Sequence, residues 1–419
     1  MRVAMISYHT CPLATLGGKD TGGMNVYVRD LTRQLGKDGV QVDVFTRSQD
    51  EHVPHVLHDL GYGNRVVHVP AGPEVPLLKQ ELAGYLPDFT AGIIEFAQVK
   101  SLQYDIIHSH YWMSGITARD LKAAWNAPVV HMFHTLGVMK QRVARSFEAT
   151  EGVYRIQGEQ EVLRIADRII AATQAEVAQL EWLYQAGMNN IVIIPPGVDI
   201  SHFYPIPDDE AKEFIGVPPC EQMVLYVGRI EPLKGIDTLI QAIAILHQRG
   251  LLVCLSVIGG DGDLDQEEAN VETLRLREMC VQAGVEDLVT FLGKRSQDTL
   301  PYYYSAANAV VVPSHYESFG MVALEAMACG TPVVASQVGG LAFLVQDGQT
   351  GFTVPVEDPH ALADRLALLL QDEELRHKMG MQAAAFSRKY SWEKITSQII
   401  GLYKKILNEQ HLLVQHQSG

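Results

Sequence analysis

Two basic residues in the second half of the chain have the types and spacing of a diphosphate clamp. Arg229 and Lys234 lie in the segment 228–235 (GRIEPLKG), directly after the apolar segment 223–227. A guanidinium can bind a phosphate through two hydrogen bonds, and a lysine adds a positive point charge. A solvated basic loop is the simpler alternative, but the preceding strand pattern and the flanking glycines favour a binding loop.

Two acidic residues farther along suit the recognition of sugar hydroxyls. The segment 314–334 (SHYESFGMVALEAMACGTPVV) places Glu317 before a predicted helix and Glu325 about two turns along it. Carboxylates accept hydrogen bonds from hydroxyls, and free N–H groups at a helix start can donate to an anion. The helix dipole alone would explain Glu317. It would not explain Glu325, which stands in a stretch of Ala and Met.

A glycine pair in the first half begins a third candidate element. Gly22 and Gly23 precede a helical pattern whose apolar face includes Val28, Leu31 and Leu35. Glycines let backbone N–H groups approach an anion closely, although a tight turn is the commoner reason for such a pair. The pattern is not GxGxxG and lacks the acidic ribose contact of dinucleotide folds, which argues against an NAD-dependent enzyme.

Three further motifs have simpler explanations than chemistry. Asp261 and Asp263 form a DxD pattern like that of some metal sites, but they stand in an acidic, glycine-rich loop. Four histidines at two predicted strand ends have no cysteine partner, so we expect cleft histidines rather than a zinc site: His108, His110, His131 and His134. The tyrosines 302–304 are expected to pack a helix rather than to stack on a base.

The elements that position these residues are short apolar segments alternating with amphipathic ones, which is typical of parallel sheets covered by helices. Predicted strands in the first half are 3–7, 40–46, 66–71, 106–110, 129–133, 169–172 and 191–194. Those in the second half are 223–227, 253–258, 289–292, 309–312, 333–335 and 352–354. Open twisted sheets rarely exceed about ten strands. We therefore predict two doubly wound α/β domains, 1–195 and 196–391, with a helix at about 392–410 that could return to the first domain.

The composition limits the possible partners and location. Of 419 residues, 33 are basic and 49 acidic, which leaves a formal net charge of −16 and argues against nucleic acid or an anionic membrane as partner. No segment reaches the roughly 18 apolar residues of a membrane span, and the first residues predict a strand rather than a signal peptide. Five scattered cysteines without a CxxC pair favour a reducing compartment. We therefore expect a cytoplasmic protein.

Together these motifs resemble those of the family 4 retaining glycosyltransferases of GT-B fold, in which two Rossmann-like domains face each other across a cleft. The resemblance rests on the two glutamates with SFG between them, on ACGTPVVAS and VGG, on the Arg229/Lys234 pair and on GGMNVYV. It covers nearly the whole chain. Three first-half segments, HSHYWMSG (108–115), FHTLGVMK (133–140) and GEQ (158–160), are most similar to the family's inositol-phosphate enzymes. Sucrose-phosphate synthases share much of the pattern.

The resemblance implies a donor site for the nucleotide sugar. Its residues would be Gly23, Arg229, Lys234, Arg295, Glu317, Ser318, Phe319, Gly320, Met321 and Glu325. Arg229 and Lys234 would bind the diphosphate, which Gly23 approaches. Glu325 would contact the ribose, and Arg295 would lie at the base. Glu317 and the backbone after it would bind the sugar hydroxyls.

The resemblance also implies catalytic and acceptor residues. The catalytic set would be His134, beside the anomeric carbon, with Arg229, Lys234 and Glu317. The acceptor would meet Asn25, Lys79, Tyr111, Thr135 and Arg155. Two cations and two hydroxyls can hold a phosphate inside an acidic protein, which favours a phosphorylated acceptor over a plain sugar.

The resulting hypothesis is a retaining, metal-independent glycosyl transfer from a nucleotide sugar to a phosphorylated acceptor, with no further cofactor. Transfer of glucose from UDP-glucose to fructose 6-phosphate, giving sucrose 6-phosphate, is favoured here over transfer of N-acetylglucosamine from UDP-N-acetylglucosamine to D-inositol 3-phosphate. A nucleotide-sugar epimerase, a phosphorylase and a non-catalytic nucleotide-sugar-binding protein are the remaining alternatives. A homodimer is compatible with the resemblance.

Overall fold

The computed structural model describes residues 1–14, 22–143, 152–216, 222–260 and 271–418, with side chains up to Leu412. The acidic pair Asp261 and Asp263 lies outside these ranges. The described chain forms two parallel sheets, each connected and covered by helices. This arrangement confirms the predicted α/β class with two Rossmann-like domains.

The first sheet has eight strands. They are β1 (Arg2–Ile6), β2 (Gln41–Arg47), β3 (Val56–Leu57), β4 (Arg65–Val69), β5 (Ile106–His110), β6 (Val129–Met132), β7 (Arg168–Ala171) and β8 (Ile191–Ile193). Their order across the sheet is β3-β4-β2-β1-β5-β6-β7-β8, and all are parallel except β3, which runs antiparallel to β4. The seven predicted strands are confirmed. β3 was missed because two residues are too few to show a periodic pattern.

The second sheet has six strands, all of them predicted. They are β9 (Met223–Val227), β10 (Cys254–Ile258), β11 (Val289–Gly293), β12 (Ala309–Val312), β13 (Val333–Ser336) and β14 (Gly351–Val354). Their order is β11-β10-β9-β12-β13-β14, and every neighbouring pair is parallel. The central strand β12 reads AVVV and is buried throughout, as expected for a parallel sheet covered on both faces.

Sixteen helices are described, and most connect successive strands. Those of the first half are α1 (Gly23–Lys37), α2 (Lys79–Leu82), α3 (Leu86–Val99), α4 (Trp112–Trp125), α5 (Gly137–Val143), α6 (Val153–Ile165) and α7 (Gln174–Tyr184). Those of the second half are α8 (Asp208–Ile215), α9 (Ile236–Gln248), α10 (Val271–Ala283), α11 (Leu300–Ala306), α12 (Met321–Ala328), α13 (Leu341–Leu344), α14 (Pro359–Gln371), α15 (Glu373–Ser387) and α16 (Trp392–Ser418).

The last helix, α16, packs on the first domain. Its buried residues Ile395, Ile399, Leu402 and Ile406 recur every three or four positions, which gives it one apolar face. It contacts α1, and its Tyr403 is hydrogen-bonded to a histidine of β5. The last helix therefore lies against α1, the helix that begins at the glycine pair.

In each sheet the direction in which successive strands are added reverses once, and the position of this reversal indicates where a ligand cleft lies. β1 lies between β2 and β5, and β9 lies between β10 and β12. Ligands of open α/β sheets bind outside the carboxyl ends of the strands at such a reversal. The loops after β1, β5, β9 and β12 all line one cleft, through residues that include Thr10, Tyr111, Arg229 and Ser314.

The described residues also test what the sequence predicts about cysteines, metal sites and membrane spans. Cys11, Cys280 and Cys329 are free thiols, whereas Cys254 is disulfide-bonded, which the scattered spacing did not predict. In the described ranges, His, Cys, Asp and Glu side chains do not form groups of three that could hold a metal ion. None of the helices described there combines the length and the apolar character needed to cross a membrane.

Candidate active site

The cleft between the two sheets has a volume of about 290 Å³ and is lined by both domains. The glycine pair faces the second domain across it. A Cβ at Gly23 would lie 3.5 Å from Met321 Cγ, and a Cβ at Gly22 would lie 3.8 Å from Arg229 Nε. Both distances are ordinary van der Waals contacts, so the two walls approach each other closely at this loop but a Cβ would still fit at either glycine.

The structure brings nearly all candidate residues to this cleft. Those that line it are Gly23, Asn25, Lys79, Tyr111, His134, Thr135, Arg229, Lys234, Arg295, Glu317, Ser318, Phe319, Gly320, Met321 and Glu325. Arg155 is the exception, since its side chain is fully buried behind the first-domain wall. The candidates thus come from distant parts of the sequence because the carboxyl ends of both sheets face each other.

The two predicted clamp cations are each paired with a glutamate. Arg229 Nη1 lies 2.8 Å from Glu231 Oε1, and Lys234 Nζ lies 2.7 Å from Glu317 Oε2. All four side chains are partly exposed, so these ion pairs contribute little to stability and can exchange partners. A ligand phosphate could therefore replace either carboxylate.

The clamp loop has a glycine where its neighbour leaves no room for a side chain. Gly235 has a φ of +66°, and a Cβ there would lie 2.1 Å from the Pro313 carbonyl oxygen. The backbone at the beginning of this loop is also anchored, because the Tyr226 hydroxyl donates to the Arg229 carbonyl oxygen at 2.8 Å. The glycine that follows Lys234 is therefore required by the close approach of the β12 end.

Two glycines determine the conformation and packing of the loop before α12. Gly320, the residue before the helix, has a φ of +105°, a conformation that favours glycine. Gly340 N donates to the Glu317 carbonyl oxygen at 3.0 Å, which packs the VGG segment against this loop. Phe319 is buried, with its ring 5.9 Å from that of Tyr390, so its backbone rather than its ring is available to a ligand.

Glu325 is a buried carboxyl at the edge of the cleft. The Tyr304 hydroxyl donates to its Oε2 at 2.8 Å. Burial raises the pKa of Glu325 to about 7, and the hydrogen bond from Tyr304 partly opposes this shift. Glu325 is therefore poised between its charged and neutral forms near neutral pH.

The three tyrosines of α11 do more than pack. Tyr302 stacks on Phe214 with 3.9 Å between ring centroids, as the packing prediction expects. Tyr303 accepts a hydrogen bond from Arg295 Nε at 3.0 Å, and Tyr304 supports Glu325. Sequence reasoning missed these two roles because a run of tyrosines on a helix does not show which hydroxyl meets which partner.

The histidines of β5 and β6 form a buried group beneath the cleft. His108, His110 and His131 are fully buried, whereas His134 lines the cleft. Burial lowers the pKa of His108 and of His134 to about 3 and lowers the pKa of the other two well below its usual value. These imidazoles are therefore neutral at physiological pH.

Two non-glycine residues at strand ends have strained backbones. His134 has a φ of +62° and Tyr111 a φ of +71°. Such conformations are uncommon for bulky residues and persist only where the surrounding structure holds them. Both residues line the cleft, so the backbone strain lies at the candidate active site.

The first-domain wall carries the candidate acceptor residues around the Tyr111 ring. Lys79 Nζ lies 5.9 Å from the ring centroid, and Arg155 Cζ lies 4.9 Å from it. Arg155 Nη2 donates to the Thr135 carbonyl oxygen at 2.9 Å and to Thr135 Oγ1 at 3.0 Å. Arg155 therefore supports Thr135 from behind.

Two residues of this wall were missed from the sequence. Glu159, of the GEQ segment, pairs with Arg155 Nε at 2.8 Å and accepts from Gly137 N at 3.0 Å and from the Tyr184 hydroxyl. The i,i+4 spacing of Arg155 and Glu159 was the signal that could have found it. Lys140, one turn into α5, lines the cleft.

The candidate Asn25 also has a structural task. Its Nδ2 donates to Thr10 Oγ1 at 2.6 Å and to the Cys11 carbonyl oxygen at 2.7 Å, and its Oδ1 accepts from Gly22 N at 3.0 Å. These bonds tie the glycine loop to the loop after β1. The Asn25 amide thus shapes the cleft as well as lining it.

Known proteins are similar to this chain over nearly its whole length. A D-inositol 3-phosphate glycosyltransferase of Actinosynnema mirum is 41% identical, with 96% of each chain covered. A sucrose-phosphate synthase from Thermosynechococcus elongatus is 36% identical with a TM-score of 0.89, over 97% of this chain and 99% of that one. Anabaena HepE, solved in complex with UDP and glucose, shares the fold at 22% identity and a TM-score of 0.75, over 97% and 100% of the two chains.

Family comparison divides the chain as the two sheets do. Residues 21–202 match the family described as Glycosyltransferase Family 4, and residues 207–386 match Glycosyl transferases group 1. The relative from Actinosynnema extends this match over almost the full length of both chains. The chain therefore belongs to the family 4 glycosyltransferases of GT-B fold, enzymes that transfer a sugar from a nucleotide sugar.

Proposed function

We propose that the protein transfers N-acetylglucosamine from UDP-N-acetylglucosamine to D-inositol 3-phosphate, with retention of the anomeric configuration. The observation that carries the proposal is the pair of cationic walls, Lys79 and Lys140 on the first domain opposite Arg229 and Lys234 on the second. A donor diphosphate needs one such wall, and a phosphorylated acceptor needs the other. The 41% identity to an inositol 3-phosphate enzyme favours this acceptor over the fructose 6-phosphate favoured by the sequence alone.

Donor binding exchanges the partners of an existing ion pair. In the free protein Lys234 is held by Glu317. In the proposed complex Lys234 and Arg229 move to the diphosphate, and Glu317 accepts hydrogen bonds from the sugar hydroxyls. The N–H groups at the start of α12 add further donors, so positive charge is in place where the leaving nucleotide gains negative charge.

The transfer step is a same-face displacement. The bond between the anomeric carbon and the diphosphate oxygen breaks, a bond from that carbon to the acceptor hydroxyl oxygen forms, and the hydroxyl proton passes to the leaving phosphate. Of the described residues that line the cleft, Glu317 and Glu325 are the carboxylates. In this scheme both act as hydrogen-bond acceptors, Glu317 for the sugar hydroxyls and Glu325 for the ribose, so neither serves as a nucleophile. Arg229, Lys234 and the amides provide the positive charge, so the scheme does not depend on a metal ion.

The acceptor phosphate would lie against Lys79, Lys140, Tyr111 and Thr135. Lys79 and Lys140 supply charge, and the two hydroxyls supply hydrogen bonds. Arg155 contributes through Thr135, which it holds by two hydrogen bonds. The acceptor hydroxyl would then lie between this wall and His134, beside the anomeric carbon.

A second candidate function is transfer of glucose from UDP-glucose to fructose 6-phosphate. The observation in its favour is the TM-score of 0.89 to a sucrose-phosphate synthase over nearly the whole of both chains. It uses the same two walls, because fructose 6-phosphate is also a phosphorylated acceptor. A cytoplasmic location and a homodimer are compatible with either activity and stay predictions.

The test is UDP or ADP release across a matrix of substrates with EDTA present. The donors are UDP-N-acetylglucosamine, UDP-glucose and ADP-glucose, and the acceptors are D-inositol 3-phosphate, free inositol, fructose 6-phosphate and none. We expect release only with UDP-N-acetylglucosamine and D-inositol 3-phosphate, and the anomeric proton of the product should show retention by NMR. Release only with fructose 6-phosphate selects the second candidate. Donor loss without acceptor indicates an epimerase or hydrolase, and silence throughout overturns both candidates.

A further inference from the structure

A column of buried aromatic side chains leads from α16 to the cleft. The Tyr403 hydroxyl is hydrogen-bonded to His108 Nδ1 at 2.6 Å. The His108 and His110 rings lie 4.4 Å apart between centroids. His110 Nδ1 in turn lies 3.0 Å from Nε2 of His134, which lines the cleft. The column therefore ends on the residue that the proposed function places beside the donor sugar.

The rings of this column are closely held. The Tyr27 ring packs edge-on against His110 at 5.5 Å and against His134 at 5.1 Å. Trp392, the first residue of α16, also packs edge-on against Tyr27 at 5.3 Å. Neither imidazole can turn freely, so the hydrogen bond between His110 and His134 has a fixed geometry.

Hydrogen-bond accounting assigns the proton in that bond. A neutral imidazole has one N–H donor and one acceptor nitrogen. His110 Nε2 is fully buried and has no hydrogen-bond partner. A buried donor without a partner costs more than a buried nitrogen lone pair without one. The His110 proton therefore lies on Nδ1 and is donated to His134 Nε2.

We propose that His110 is a positioning residue, which holds His134 as the Nδ1–H tautomer and fixes its ring against the cleft. With Nε2 accepting from His110, the nitrogen left for substrate is Nδ1, and it carries a hydrogen. His134 can then donate to a sugar oxygen, but it cannot accept the proton of the acceptor hydroxyl. This role of His134 rests on the proposed function only in placing a sugar beside it. Because His134 cannot take the proton of the acceptor hydroxyl, the leaving phosphate remains the proton acceptor.

Three substitutions separate this role from simple packing. His110→Phe keeps a ring and removes the N–H. His110→Asn places an amide N–H close to the position of Nδ1. His131→Phe is the matched control, since His131 is equally buried but bonds Ser109, at 2.8 Å, instead of His134.

We expect His110→Phe to lower kcat by about 10- to 100-fold, the range for misplacement of a catalytic group. His110→Asn should recover most of that loss, and His131→Phe should leave kcat near the wild-type value although its Tm falls by a similar amount. Equal losses of kcat in the two Phe variants would assign His110 to packing alone and overturn the proposal.

The tautomer itself can be read without turnover. In protein labelled with ¹⁵N-histidine, long-range ¹H–¹⁵N spectra distinguish protonated Nδ1 from protonated Nε2, and the His134→Asn variant identifies the signals. We expect wild-type His134 to be protonated at Nδ1 and to shift toward Nε2 in His110→Phe. A wild-type Nε2–H tautomer would contradict the proposal even in an active enzyme. The Nδ1–H tautomer would stand even if the substrates proposed above proved wrong. If the His134→Asn variant fails to fold, triple-resonance assignment of the wild-type protein identifies the His134 signals instead.

Discussion

The two walls of the cleft hold their charges in different ways. On the second domain, the side chains of Arg229 and Glu231 are 31% and 33% exposed, and those of Lys234 and Glu317 are 20% and 19% exposed. On the first domain, the ion pair behind the wall is fully buried at both ends, and its glutamate has two further donors. Water and ligand can reach the first kind of pair but not the second.

This difference assigns different tasks to the two walls. Partly exposed pairs are worth little, so a diphosphate can take their cations without a large loss of stability. A buried pair cannot be broken cheaply, because the remaining charge would stay in a low-dielectric interior. In the proposed function, the second-domain wall would therefore bind the donor by exchange of ion-pair partners, whereas the first-domain wall would be a preformed frame whose outer groups bind the acceptor.

Glu159→Gln should show the largest effect on stability. It leaves the buried Arg155 guanidinium without its counter-charge, and we expect the free energy of unfolding to fall by about 3–5 kcal/mol. Urea denaturation measures this loss. Glu161→Gln is the control, since Glu161 lies on the same helix in partly exposed pairs and should change stability by about 0.5 kcal/mol or less. Equal losses would show that burial does not distinguish the two pairs.

Arg229→Ala should lower activity strongly while it hardly changes stability. Removal of one group that stabilises the leaving diphosphate should lower kcat by about 10²- to 10³-fold, with little change in Tm. Steady-state kinetics and thermal unfolding measure the two effects. Arg249→Ala, which removes an exposed partner of Asp364, should leave both unchanged. An Arg229→Ala enzyme with wild-type turnover would refute the diphosphate clamp.

Donor binding should depend on pH through Glu325. Its pKa of about 7 means that the carboxyl is largely neutral at pH 6 and charged at pH 8. If the ribose hydroxyls need the carboxylate as acceptor, the Kd for the UDP-sugar should rise about tenfold from pH 8 to pH 6. Calorimetric titration measures it. In Glu325→Gln the Kd should be independent of pH over this range, and a pH dependence that survives this substitution would assign it to another group.

Glu176, buried behind the first-domain wall, should produce the smallest effect. Its Oε2 accepts from Ala172 N at 2.7 Å, and burial raises its pKa to about 7. The folded-state pKa lies above the unfolded value near 4.5, so the folded state holds this proton more tightly. Stability should therefore fall as pH rises from about 4.5 through 7.

The measurement is the slope of unfolding free energy against pH, which is insensitive to pH-independent costs of a substitution. Glu176→Gln should flatten the slope, and so should Glu325→Gln, because both carboxyls shift in the same direction. Saturating UDP should remove the contribution of Glu325 to this slope but not the contribution of Glu176, since Glu176 does not line the cleft. An unchanged slope in Glu176→Gln would mean that its carboxyl keeps an ordinary pKa.

The sequence by itself determined the framework. Every strand except β3 could be predicted, because apolar runs of three or more residues bounded by turns are a local signal. The placement of Arg229, Lys234, Glu317 and Glu325 along the cleft could also be predicted, since they lie in short segments after strands, and parallel strands bring such segments to one edge. These features depend on residues that are near in sequence.

Only the tertiary structure decided how the walls work. The burial of Arg155, the support of Glu325 by Tyr304 and the contact of His110 with His134 join segments far apart in the chain. Which polar atom meets which partner in a close-packed interior depends on the direction of each side chain, and periodicity does not encode that direction. The sequence thus determined most of the residues that reach the cleft, and packing decided which side chains line it and which, like Arg155, support them from behind.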